Sequence, residues 1–264
     1  MVTAKTIKLI RGLAEHKNRR EENLFVAEGS KCVSDTLPGF DPVFLFCTED
    51  WAVIHPEEIK SAEQKGAHIE LCKKGQLREL SSLVATPPAI AVYHIPEKKN
   101  VAPEICRNEL VIVLDRVQDP GNLGTIIRTA DWMGIHSIVA SKDTVDMYNP
   151  KVVQASMGAI TRVKVTYVEN LAIFLDEVEG CGANIYGTFL GGENIYSAAL
   201  SPTGAIILGN EGSGISSEIE ACVNRKLFIP PFPQDADTSE SLNVATACAI
   251  VLSQFRSRQM KSRN

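Results

Sequence analysis

Three clusters of polar residues and glycines, each following an apolar run, are the places where this chain could do chemistry. The first holds Asn122 and Arg128 within PGNLGTIIRTA. The second, LGNEGSGI, runs from Leu208 to Ile215 and carries Glu211 among glycines. The third is Ser241-Leu242-Asn243, at the start of the last apolar helical pattern, with Ile229 ending a short apolar run before it. Glu211 and Asn122 suit one another as a pair, because a carboxylate accepts hydrogen bonds and an amide nitrogen donates them. Gly209, Gly212 and Gly214 would let backbone come close to a ligand. Arg128 holds its proton too tightly to be a base, and suits clamping an anion or stabilising developing negative charge. Taken singly, each has a plainer reading: a glycine-rich stretch after a strand is a turn, and a helix arginine is a solvated surface residue.

Several chemistries fail. GNEGSG is neither the dinucleotide-binding GxGxxG nor a phosphate loop with its lysine. Ser241 has no histidine and acid arranged for hydrolysis, and the five histidines are dispersed. The seven cysteines are odd in number, scattered and without a CxxC, which predicts reduced thiols in a cytoplasmic protein and no metal site.

The elements that must position these clusters are legible. Leu110–Leu114 is apolar and β-branched, as a strand buried on both faces is. A turn at Asp119-Pro120-Gly121 follows, with Asn122 expected as the helix N-cap. Leu123, Ile126, Ile127, Ala130 and Met133 then share one helical face, with Arg128 off it, and Ser137–Ala140 completes a βαβ unit. Further strands are expected at 163–167, 183–189, 205–208 and 227–229, with helices at 150–160 and 242–258. This half reads as a doubly wound parallel sheet, whose ligands bind beyond the carboxyl ends of the strands. All three clusters lie at such ends.

The three clusters, in this order, resemble the three motifs of the SpoU (TrmH-like) RNA ribose 2'-O-methyltransferases of the SPOUT superfamily. The resemblance implies S-adenosyl-L-methionine as cofactor and a trefoil-knotted parallel sheet at the C-terminus, which the usual rules of chain connection would exclude. It implies Asn122, Arg128, Glu211, Ser241 and Asn243 as the catalytic set, and Leu208, Gly209, Asn210, Gly212, Ile229 and Leu242 as the donor site. It also implies a homodimer. Between Ile229 and Ser241 this chain is longer than the family's usual loop, and acidic.

Before that half, strands at 24–27, 43–47, 67–71 and 89–95 alternate with helical stretches, which predicts a smaller α/β domain over residues 1–95. The polar run Lys17–Asn23 reads as a connection. Arg19 to Gly29, RREENLFVAEG, resembles the opening of the L30e-like substrate-binding domain found before many SpoU catalytic domains, and implies RNA binding by Arg19 and Arg20. Residues 96–106, proline-bearing and without period, read as the linker to a domain over 107–264.

The net charge of −5 runs against RNA binding. Its distribution is more favourable. Residues 1–31 carry seven basic side chains against four acidic, and the tail adds Arg256, Arg258, Lys261 and Arg263. No apolar run approaches the roughly 20 residues needed to cross a bilayer, and nothing suggests DNA or membrane as a partner. The reading is 2'-O-ribose methylation of RNA. Ribosomal RNA is favoured over transfer RNA, because many transfer-RNA enzymes of the family carry short helical extensions instead of an L30e-like domain. A non-catalytic RNA-binding protein is the alternative from another class.

Overall fold

A computed structural model describes residues 2–97, 100–233 and 241–261, the last without its side chain. Lys98 and Lys99 of the expected linker, residues 234–240 of the acidic loop, and Arg263 with the Lys261 side chain lie outside the described residues. The chain divides into two compact units, residues 1–97 with 146–162, and residues 98–145 with 163–264.

In the first unit β1 (Leu24–Glu28), β2 (Pro42–Cys47), β3 (His68–Leu71) and β4 (Ala89–His94) form a sheet in the order β1-β4-β2-β3. β4 runs antiparallel to both neighbours, and β2 and β3 are parallel. Ile10 and Leu13 from the start of the chain pack with Leu77 and Leu80 in one core cluster over Val26, Phe46, Ile90 and Val92.

The polar run at 17–23, expected to be a connection, is a helix, His16–Glu22, closed by Asn23 in the left-handed conformation. Lysine, arginine and glutamate are good helix formers, and the run lacks an apolar stripe because the one side chain it buries is Arg19. A second correction concerns residues 146–162, which the sequence reading places with the domain over 107–264. Their helix, Pro150–Ser156, packs against β1. Val152 and Val153 are buried, and the Tyr148 ring lies 4.7 Å from that of Phe25. Helical periodicity marks these apolar side chains as buried without saying which core buries them. The expected linker is also shorter than 96–106, because Ile105–Asn108 forms a helical turn that buries Cys106.

The second unit is a six-stranded, wholly parallel sheet of β5 (Leu110–Leu114), β6 (Ser137–Ser141), β7 (Lys164–Val168), β8 (Ile185–Asn194), β9 (Gly204–Leu208) and β10 (Arg225–Phe228). The order is β10-β8-β9-β5-β6-β7. β5 and β9 are buried at every position, as their unbroken apolar runs require. One face packs Val111, Val113, Ala205 and Ile207 against Phe174, Leu175 and Val178 of the helix Leu171–Gly180. The helix Pro120–Trp132 packs with the final helix, Val244–Lys261, whose Phe255 meets the Tyr186 ring edge-on at 4.9 Å. Leu114 is level with Leu208, so β5 and β9 end side by side where the strand order reverses. That is where a doubly wound sheet opens a crevice.

Candidate active site at the switch point

The first loop leaves β5 at Asp115. The cap of the next helix is Asp119, whose carboxylate accepts from the Asn122 backbone N–H at 2.8 Å. Asn122 was expected at this position. Pro120 moves the cap back, because its fixed φ and missing N–H suit the first helical residue. The Asn122 side chain is thereby released to bond elsewhere. Its Nδ2 donates to Glu211 Oε1 at 3.0 Å, and its Oδ1 accepts from Asn243 Nδ2 at 2.9 Å.

Glu211 also accepts from the backbone of Gln118 at 3.2 Å and of Asp119 at 3.0 Å. Partial burial pushes its pKa up, but the Asn122 amide and the backbone donors together outweigh that and hold it below the usual carboxylate range. The group is a fixed anion joining the β5 and β9 loops.

The β9 loop is closed on itself. Asn210 and Gly214 exchange backbone hydrogen bonds at 3.0 and 2.9 Å, and Asn210 Oδ1 accepts from the Gly212 and Ser213 amides at 3.0 Å each. Asn210 Nδ2 ties the loop to the Arg116 carbonyl at 2.8 Å. A Cβ on Gly209 would stand 2.2 Å from the Gly214 carbonyl carbon, so only glycine permits this closure. Leu208, by contrast, is core.

In the third cluster, Ile229 follows β10 directly and is half-buried, while Leu242 is 48% exposed. Asn243 Oδ1 accepts from the backbone of Ala245 at 2.9 Å and of Thr246 at 3.2 Å, so one side chain starts the final helix and reaches Asn122. Ser241 is exposed two residues earlier. Arg128 is exposed, without a hydrogen bond or ion pair among the described residues, and lies about 120° round the helix from Asn122.

The structure thus joins Asn122, Glu211, Asn243 and Asn210 in one bonded network and leaves Arg128 outside it. Two further residues belong to the scaffold and escaped the sequence reading. Asp115, 3% exposed, accepts from the Ser216 backbone at 2.7 Å and from Arg116 Nε at 3.1 Å. Arg116 has a φ of 57°, held by donation from its N–H to Ser141 Oγ at 2.9 Å. An acid directly after an apolar strand is the signal that could have found Asp115.

Arg19, expected to bind RNA, cannot do so. It is 1% exposed in the first unit, its Nε donates to Asp146 at 2.8 Å, and its Nη1 donates to the Leu13 and Ala14 carbonyls at 2.8 Å. A guanidinium with its donors used inside the protein is structural. Arg20 beside it is exposed.

A methyl donor bearing adenine fits the switch-point edge. Leu242 and Ile229 offer apolar surface, and the β9 turn presents backbone at Gly212, where there is open space beyond the Asn210 side chain. The SpoU rRNA Methylase family profile matches residues 109–253, and the MRM3-like substrate binding domain profile matches residues 4–91. The chain belongs to the SpoU rRNA methylase family.

Among relatives of this SpoU chain, a 23S rRNA (guanosine(2553)-2'-O)-methyltransferase, RlmP, of Bacillus subtilis is 31% identical over 91% of each chain. A TrmH-family putative RNA methyltransferase from Porphyromonas gingivalis has a solved structure that superposes with a TM-score of 0.85. It is 36% identical, covering 98% of this chain and 99% of that one. An AdoMet-bound rRNA methyltransferase from Sinorhizobium meliloti gives 0.84 at 26% identity, over 98% and 96%.

Proposed function

We propose that this SpoU-family protein transfers a methyl group from S-adenosyl-L-methionine to a ribose 2'-hydroxyl of ribosomal RNA. The observation that carries the reading is the bonded chain Asn243–Asn122–Glu211, which draws the three motifs together at the switch point. The 23S rRNA specificity in the Bacillus relative's name, across 91% of both chains, supports ribosomal RNA as the substrate.

The donor, when bound, supplies an electrophilic methyl on a sulfonium. Gly209, Asn210, Gly212, Ile229 and Leu242 would hold it, with Leu208 behind them in the core. Asn122, Glu211 and Asn243 fix the loops so that the reactants meet in line. Arg128, without a hydrogen bond or ion pair among the described residues, would hold an RNA phosphate and stabilise the ribose oxygen as its proton leaves to water or a phosphate oxygen. Ser241 positions the substrate.

The same reading assigns RNA binding to the domain over residues 1–95, with Arg20 among its contacts. It places the protein in the cytoplasm, and among the described residues no helix is long and apolar enough to cross a membrane. The active form is a homodimer; Trp132, 87% exposed on the Arg128 helix, supports a covering surface there. Incubation with methyl-labelled donor and protein-free large-subunit ribosomal RNA tests the reading. Label on a ribose 2'-oxygen is expected. Donor binding without transfer to ribosomal RNA would sink it.

A further inference from the structure

The burial of Arg19 removes one of the two arginines expected to reach RNA, and the first unit offers a different surface. The helix Ala4–Gly12 carries Lys5, Lys8 and Arg11, each three residues from the next, so they follow one line along the helix. The helix Lys74–Leu80 packs against it and carries Lys74 and Arg78, with Lys73 just before it. All six are exposed. The apolar faces of both helices, with Ile10, Leu13, Leu77 and Leu80, are spent in the core, so the outward surface is cationic without an apolar stripe to enter a membrane.

The two lines meet at a cleft of about 310 Å³ lined by Arg11, Arg78, Ser81, Ser82 and Leu83. Arg78 Nη1 is fixed there by the Leu83 and Val84 carbonyls at 2.6 and 2.7 Å. Glu28 lies buried beneath, its carboxylate taken up by the Ser81 and Ser82 hydroxyls and the Ser82 amide. Lys5, Lys8, Arg11 and Lys74 form no ion pair among the described residues. Of the acids near them in sequence, Glu15 and Glu79 form no ion pair among the described residues, while Glu70 accepts from the Val2 backbone N–H at 2.6 Å. In a chain of net charge −5, five exposed cations on two neighbouring helices, with Lys73 beside them, are a local reversal of sign.

We propose that the paired helices Ala4–Gly12 and Lys74–Leu80 bind the phosphodiester backbone of the RNA substrate, with a phosphate seated between Arg11 and Arg78. The assignment rests on the methyltransferase reading and names the surface through which that substrate is gripped. Arg78 supplies a pre-positioned planar donor, and the lysines supply charge that follows a strand without reading its bases.

The full-length triple variant Lys8→Ala/Arg11→Ala/Lys74→Ala tests this, because none of the three side chains has an ion-pair partner whose loss would unfold the protein. The probe is protein-free large-subunit ribosomal RNA, titrated by filter binding from 50 to 200 mM salt. A matched triple, Lys60→Ala/Lys142→Ala/Lys164→Ala, removes the same charge elsewhere. The helix triple should bind at least tenfold more weakly, with a log–log salt slope shallower by about 2, while the matched triple stays within threefold of wild type. Calorimetric affinity for S-adenosyl-L-methionine should be unchanged in both. Equal losses in the two triples, or wild-type affinity and slope in the helix triple, would overturn the proposal. Wild type that binds this RNA but never methylates it would sink the methyltransferase reading, with the surface still judged by the two triples.

Discussion

Asn243 donates its side-chain amide to Asn122 Oδ1 at 2.9 Å, although 121 positions separate them. Because Asn122 spends its own Nδ2 on Glu211 at 3.0 Å, the order donor–acceptor runs one way through the three side chains. Replacing Asn122 by aspartate puts an oxygen against Glu211 and sets two carboxylates in contact. A hydrogen bond to a charged group contributes about 1.5–3 kcal/mol. Donor affinity in Asn122→Asp, read by titration calorimetry, should therefore fall about 10- to 100-fold. Unchanged affinity would show that the network does not shape the donor site.

The same network fixes a pH dependence. The folded-state pKa of Glu211 is depressed, so its contribution is fully present above the ordinary glutamate value of about 4.3 and is lost only as pH falls through the lower folded value. The ratio of wild-type to Glu211→Gln donor affinity should stay flat from pH 8 to 5 and collapse below about 4.3. A midpoint above that value would contradict the assigned hydrogen bonds.

Gly209→Ala should destabilise the fold by about 1–3 kcal/mol, since its Cβ would meet backbone and not a yielding side chain. Gly212→Ala, with only Asn210 Oδ1 at 3.7 Å, should melt with wild type. Equal melting temperatures for the two variants would refute this reading of the turn.

Arg19→Ala removes one partner of a buried ion pair and leaves Asp146 uncompensated. The expected cost is about 3–5 kcal/mol by chemical denaturation. RNA affinity measured below the melting transition should not change. A variant that is stable but deficient in RNA binding would restore the role expected from the sequence.

Arg128→Ala should keep donor affinity within a few fold and slow single-turnover methylation about 100-fold or more, the scale for losing one preorganised charge-stabilising donor. Arg128→Lys should recover little, because a point charge does not reproduce a planar fork. Wild-type rates in Arg128→Ala would end the assignment.

The parallel sheet was legible because strands buried on both faces leave unbroken runs such as Leu110–Leu114, and the clusters after them announced the edge where they meet. The Asn122–Glu211 pairing was legible from the residue types once the family resemblance had singled out the two residues. What escaped depends on competition between sites. Asn122 had the chemistry of a cap, and Pro120 handed that place to Asp119. Arg19 had the chemistry of an RNA contact, and Asp146, 127 residues away, claimed it. No local pattern encodes a partner so distant.

Tyr148 belongs by sequence to the methyltransferase half, yet its ring stacks into the aromatic group of Phe25, Phe40 and Tyr93. The substrate-binding unit is therefore a mosaic of two stretches of gene. A fragment cut at residue 97 would carry a wound where that ring and Val152 had been, and would meet water with apolar surface it never shows in the whole chain. A methyltransferase half grafted onto another recognition module would, in turn, bring residues 146–162 along as a patch cut for a surface it had left behind.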